Sequence, residues 1–95
     1  MKMYVLVRRN LSIPQQAVQA GHAVAELVLQ DKSKGWNGTL VYLGVEDENI
    51  LSRWKSKLNI CEKSFVEFRE PDIGNQLTAV ACVDDGKMFS KLKLL

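Results

Sequence analysis

Four polar residues of the segment 13–30 recur at helical spacing: Gln15, Gln19, His22 and Glu26. At about 100° per residue they fall within one narrow sector of a helix, with Gln30 beside them. Two amides and an imidazole on one stripe supply hydrogen-bond donors and acceptors. Such groups would suit holding a ligand if the stripe lines a cleft. A second concentration of polar chemistry is the run Arg69-Glu70-Pro71-Asp72-Ile73-Gly74-Asn75-Gln76-Leu77-Thr78. There Pro71 and Gly74 set a turn, and Asp72 could face the start of the first helix, whose free N–H groups suit a developing oxyanion or a phosphate.

Each feature also has a plainer reading. The stripe can be the solvent-facing edge of a helix whose remaining surface (Ala17, Val18, Ala20, Ala23, Val24, Ala25, Leu27, Val28, Leu29) is covered. Asp72 and Asn75 can bond within their own turn. Gly21, costing about 1 kcal/mol against Ala inside a helix, hints at a close contact. Ser12, His22 and Asp72 form a triad only on paper, since Ser12 suits a helix cap. The single histidine and the lack of cysteines at ligand spacing argue against a zinc site. There is no nucleophile elbow, phosphate-binding loop or dinucleotide fingerprint.

The elements needed to position these residues can be read from the pattern. The apolar run Met3–Val7 predicts a strand buried on both faces. Ser12 predicts a helix cap, with Gln15 at capping-box spacing and Pro14 tolerated in the first turn. The helix should run from about Ile13 to about Gln30. Thr39–Val45 predicts a second strand, and Asp47 caps a second helix from about Glu48 to Leu58, with Ile50, Leu51, Trp54 and Leu58 on one face. Ser64–Arg69 and Leu77–Val83 predict a third and fourth strand around a loop at 71–75. In the tail, Met88, Phe89, Leu92 and Leu95 stand at helical spacing, so a short final helix is expected. The order βαβαββ predicts one α/β domain over residues 1–95, with a mixed four-stranded sheet and helices packed on it. If the first and third strands are parallel, the loops after them share one edge, where ligands of open α/β sheets tend to sit.

Composition bounds the partners. The chain has 95 residues, 46% hydrophobic and 25% charged, with net charge +2. This is ordinary for a globular domain, and one this short buries only about two-thirds of its unfolded surface. A charge of +2 does not announce nucleic-acid binding, so a nucleic-acid partner requires the cations to be gathered on one face. No run reaches the roughly 18 apolar residues of a membrane span. The strand-like start is not expected to be a signal peptide. Cys61 and Cys82 are expected to be reduced, buried core residues of a cytoplasmic protein.

The segment Pro14-Gln15-Gln16-Ala17-Val18-Gln19-Ala20-Gly21-His22-Ala23 resembles the first-helix signature of the class II peptidyl-tRNA hydrolases. Ala17-Val18, Gln19 and His22-Ala23 match in register. So do the opening strand Tyr4–Arg9, Asp72-Ile73-Gly74 as the family's Asp-x-Gly loop, and Thr78 as its threonine. The resemblance covers nearly the whole chain. It implies hydrolysis of the ester between a peptidyl group and tRNA, with no metal or cofactor. In that role Asp72 orients or activates water, Gln19 and Thr78 hold the ester, and His22 lines the cleft. Two departures stand out: Gln15 occupies the position of the family's lysine, bringing a donor without charge, and the Asp72–Thr78 loop is shorter. A tRNA partner implies phosphate contacts, expected from Arg8 and Arg9 at the active edge with Arg53, Lys55, Lys57, Lys63 and Arg69 adding to them. The departures leave two alternatives: a non-catalytic tRNA- or protein-binding module, and a hydrolase of another small ester or amide. Phe89, Leu92, Leu94 and Leu95 are expected either to cover the core or to make a homodimer contact.

Overall fold

The computed structural model describes all 95 residues. Its elements are β1 (Lys2–Arg8), α1 (Ile13–Leu29), β2 (Leu40–Val45), α2 (Glu48–Ile60), β3 (Val66–Glu70), β4 (Gln76–Asp84) and β5 (Lys93–Leu94), with 3-10 turns at Pro71–Ile73 and Lys87–Phe89. The sheet order is β3-β4-β1-β2-β5. β1 pairs in parallel with β2 and antiparallel with β4, and β3 is antiparallel to β4. β1 and β3 therefore run the same way, and the loops after both open at one edge of the sheet.

β1 sits inside because its side chains are apolar on both faces. Met3, Val5 and Val7 join Ala20, Ala23 and Leu27 of α1 in one cluster. Leu6 joins Leu51 and Leu58 of α2 in another. The two clusters lie on opposite faces of the sheet, giving three layers: α1, sheet, α2. The caps follow the sequence pattern. The Ser12 hydroxyl accepts the Gln15 N–H at 3.3 Å, and the Asp47 carboxylate accepts the Ile50 N–H at 2.9 Å.

Four expectations need correction. The sheet has five strands, not four. The tail is not a helix: after Gly86 (φ 85°) it makes a 3-10 turn and then pairs as β5 with β2. It crosses the β2 edge, so that Phe89 and Leu92 pack on the α2 side while Leu95 packs on the α1 side. The spacing that suggests one helical stripe thus serves two faces. Leu94 stays 71% exposed. Cys61 is exposed, because α2 extends to Ile60 and leaves it as the residue beyond the helix; only Cys82 is buried.

The fourth correction concerns the orientation of α1. Its buried residues are Gln19, Ala20, Ala23 and Leu27. Its outward surface is apolar, with Ile13 81%, Val18 51% and Leu29 78% exposed. Of the polar stripe, Gln19 is buried against β3 and β4 and Glu26 is half-buried, while Gln15 and His22 remain exposed. A Cβ on Gly21 would meet nothing within 4 Å, so no close contact within the chain requires this glycine.

Candidate functional site

The site begins with Gln19. Its side chain is 1% exposed, and burial of an amide requires partners for both ends. The Gln19 amide nitrogen donates to Gln15 Oε1 at 3.1 Å and to Glu70 Oε2 at 3.2 Å. Gln19 Oε1 lies 2.7 Å from the donating hydroxyl of Thr78, which also lies 3.2 Å from the Phe68 carbonyl. One amide thus ties the first turns of α1 to the end of β3 and the start of β4.

The network is sealed at one end and open at the other. Thr78 is fully buried, whereas Gln15 is exposed and Glu70 half-buried. His22 lies flat against Phe68, with ring centroids 4.4 Å apart and planes 7° apart. It forms a wall beside the network without bonding to it. Gln15 closes only half of a capping box: its backbone N–H goes to Ser12, but its side chain turns to Gln19.

Three residues singled out from the sequence, Gln15, Gln19 and Thr78, are therefore brought together, with His22 one helical turn away. Asp72 is not bonded to them. It projects from the 3-10 turn after β3, exposed, with no side-chain hydrogen bond. Gly74 (φ 72°) and Asn75 (φ 59°) both adopt left-handed backbone, and the Asn75 N–H closes the turn on the Glu70 carbonyl at 2.9 Å. The carboxylate that meets Gln19 is Glu70, which sequence reasoning missed. The alternation of β3 carries the signal: Val66, Phe68 and Glu70 share a face, and the first two pack against α1. Ser12 serves as the cap, so the paper triad does not form.

The cations do not gather at this edge. Arg8 is 7% exposed, and its guanidinium donates to Asn10 Oδ1 at 2.9 Å, Gln76 Oε1 at 2.8 Å and the Leu77 carbonyl at 3.2 Å. It fastens β1 to β4 instead of facing outward. Arg69 pairs with Glu67 at 3.1 Å, as does Lys55 at 3.2 Å. Arg9 donates to the Leu94 carbonyl. Arg53 stands exposed on α2, across the sheet from Gln19. Lys63 is at the far end of β4, bonded to Asp84 at 2.8 Å.

Three perturbed groups mark that far end: Cys82, Asp84 and Lys63, the last raised chiefly by its hydrogen bond to Asp84. Burial pushes the Cys82 thiol up to about 12, with the Asp84 charge adding to the effect, so it stays protonated at neutral pH. Burial also raises Asp84, but hydrogen bonds from the Lys63 ammonium and the Gly86 N–H outweigh it and hold the carboxyl below its ordinary value. No group of three or more His, Cys, Asp or Glu side chains has metal-binding geometry. No helix is long and apolar enough to cross a membrane.

No family model and no curated protein sequence matches this chain. Among solved structures, it is similar to a protein of unknown function from Agrobacterium tumefaciens strain C58, with a TM-score of 0.75 and 14% identity over 99% of this chain and 96% of that chain. At that identity the likeness shows the fold alone: a small α/β domain with a mixed five-stranded sheet between two helices.

Proposed function

We propose that the chain hydrolyses the ester joining a peptidyl or N-blocked aminoacyl group to tRNA, at the edge where β1 and β3 both end. The observation that carries this reading is the hydrogen-bonded chain Glu70–Gln19–Thr78, which opens to solvent at Gln15. Gln19 and Thr78 are positioning residues, too buried to touch substrate. They fix the start of α1 against the turn bearing Asp72. The exposed Asp72 carboxylate takes a proton from an attacking water as the water oxygen bonds to the ester carbon. The Gln15 amide, a neutral donor, faces the oxyanion. Collapse breaks the ester bond, and the proton passes to the departing ribose oxygen. The products are a free peptide acid and tRNA.

A second reading, a binding module without turnover, is favoured by one observation: Gln19 and Thr78 are sealed, and Arg8 and Arg69 are spent inside the chain. The deciding experiment is release of tRNA from peptidyl-tRNA by the purified protein, beside Asp72→Asn and Glu70→Gln, with a small acyl ester as a parallel substrate. Turnover lost in Asp72→Asn supports the hydrolase. Turnover unchanged in that variant removes Asp72 from the chemistry. Cleavage of the small ester alone points to a different hydrolase, and a folded protein that binds tRNA without releasing it establishes the module.

A further inference from the structure

Four cations without ion-pair partners, Arg53, Lys57, Lys91 and Lys93, line one groove on the opposite side of the sheet, with Arg9 at its rim. Between α2 and the tail runs a groove of about 340 Å³ lined by Arg9, Gly44, Val45, Glu46, Ile50, Lys91, Leu92 and Lys93. At Ile50 it continues into a shallower depression, about 150 Å³, lined by Arg53, Trp54 and Lys57. Five cations and one carboxylate, Glu46, line the two together. None of the five forms an ion pair. The neighbouring Asp47 carboxylate is occupied by the Ile50 N–H. In a chain with 13 basic and 11 acidic residues, this is a strong local imbalance.

The fold creates it. Positions 50, 53, 54 and 57 form one stripe of α2, and the tail is laid beside that stripe by Phe89, whose ring lies 5.5 Å from Trp54. Crossing the β2 edge then brings Lys91 and Lys93 to the groove that ends at Ile50, from which Arg53 and Lys57 continue along α2. Lys57 sits over the Trp54 ring at 4.8 Å.

We propose that this groove binds single-stranded RNA, with Arg53, Lys57, Lys91 and Lys93 on the phosphates and Trp54 available to a base once Lys57 swings to a phosphate. A row of free cations beside an aromatic ring is how sequence-tolerant single-strand sites are built. An anionic membrane fits less well. Surface binding to lipid draws on protruding apolar side chains, and none of the chain's exposed large hydrophobics lines the groove. The inference rests on the RNA part of the proposed function and not on its ester chemistry.

The test is fluorescence anisotropy with a labelled single-stranded RNA of about 12 nucleotides, repeated across salt concentrations and with anionic phospholipid vesicles as a second probe. The wild-type protein is expected to bind the RNA, with log K falling against log salt by on the order of 0.7 per phosphate engaged. Arg53→Glu/Lys57→Glu and, separately, Lys91→Glu/Lys93→Glu should each weaken binding about tenfold or more and flatten that slope. Lys2→Glu/Lys34→Glu, away from the groove, should leave it unchanged. Two independent pairs keep the result readable if one fails to fold. Absence of RNA binding at low salt, equal losses in the control pair, or binding to vesicles but not RNA overturns the proposal. Asp72→Asn should retain full RNA affinity, so failure of the hydrolase reading is distinguishable from failure of this one.

Discussion

Thr78 shows what a single buried hydroxyl does here. It is the one side-chain donor to Gln19 Oε1, and both residues are out of contact with water. Thr78→Val keeps the shape but leaves that carbonyl unpaired, and should cost about 1–3 kcal/mol in urea denaturation. Asp84 and Lys63 give a pH-dependent counterpart. The Asp84 carboxyl is held below its unfolded value by its hydrogen bonds, so its contribution is present above about pH 4 and lost as pH falls through the folded value. The Lys63 ammonium is raised chiefly by the hydrogen bond to Asp84, so its contribution is present below about pH 10.4 and lost as pH rises through the folded value. At neutral pH both operate. Asp84→Asn should therefore be less stable than wild type at pH 7, with the difference vanishing toward pH 2; a difference that persists in acid would refute this account of the pair.

Among the elements, β5 is the one held by the least. Two residues pair with β2, the Leu95 N–H reaches the Tyr42 carbonyl at 3.0 Å, and Arg9 donates to the Leu94 carbonyl. Gly44 makes the last bond possible. A Cβ there would run into Arg9 Nε, so the guanidinium occupies the space a side chain would take. Arg9 is flexible and can swing away, which makes Gly44→Ala a local lesion. The expected outcome is faster hydrogen exchange at the Leu95 amide, with global stability changed by less than about 1 kcal/mol. Unchanged exchange would mean that Arg9 does not anchor the tail. The same element shows why the tail resisted reading. Met88, Phe89, Leu92 and Leu95 fit a helical period, yet the structure divides them between two cores, and one-dimensional spacing does not distinguish a stripe from a strand crossing an edge. The first helix failed in the complementary way. Its periodicity is plain, but much of its apolar surface, Val18 and Leu29 included, is left uncovered, and Gln19 is inside because β3 and β4 supply partners for its amide.

For the molecule as a whole, β1 is the shared wall. Val5 and Val7 feed the α1-side cluster and Leu6 the α2-side cluster, all without exposure. Neither layer can lose its packing without opening the same strand, so unfolding should be a single cooperative event. Trp36 packs on the first cluster and Trp54 on the second. Trp36→Phe and Trp54→Phe leave one reporter each, and each variant's fluorescence midpoint in urea should coincide with its own circular-dichroism midpoint. Separate transitions would show two independently stable layers. The three layers also separate two surfaces: a hydrogen-bonded carboxylate edge on the α1 side and a basic groove on the α2 side.

The sequence by itself determined the α/β class, the order of the first six elements, both helix caps, the parallel pairing of β1 with β2 and the placing of Gln15 and Gln19 on one stripe of α1. Those features follow from local periodicity, capping chemistry and connection length, all of which act over a few residues. Tertiary structure alone decided that Thr78 and Glu70, rather than Asp72, meet Gln19, that Arg8 turns inward, that the tail adds a fifth strand and that Arg53, Lys57, Lys91 and Lys93 lie along one groove beside α2. Each of those depends on which distant segment supplies a hydrogen-bond partner or a burial site, and no spacing along the chain encodes that choice.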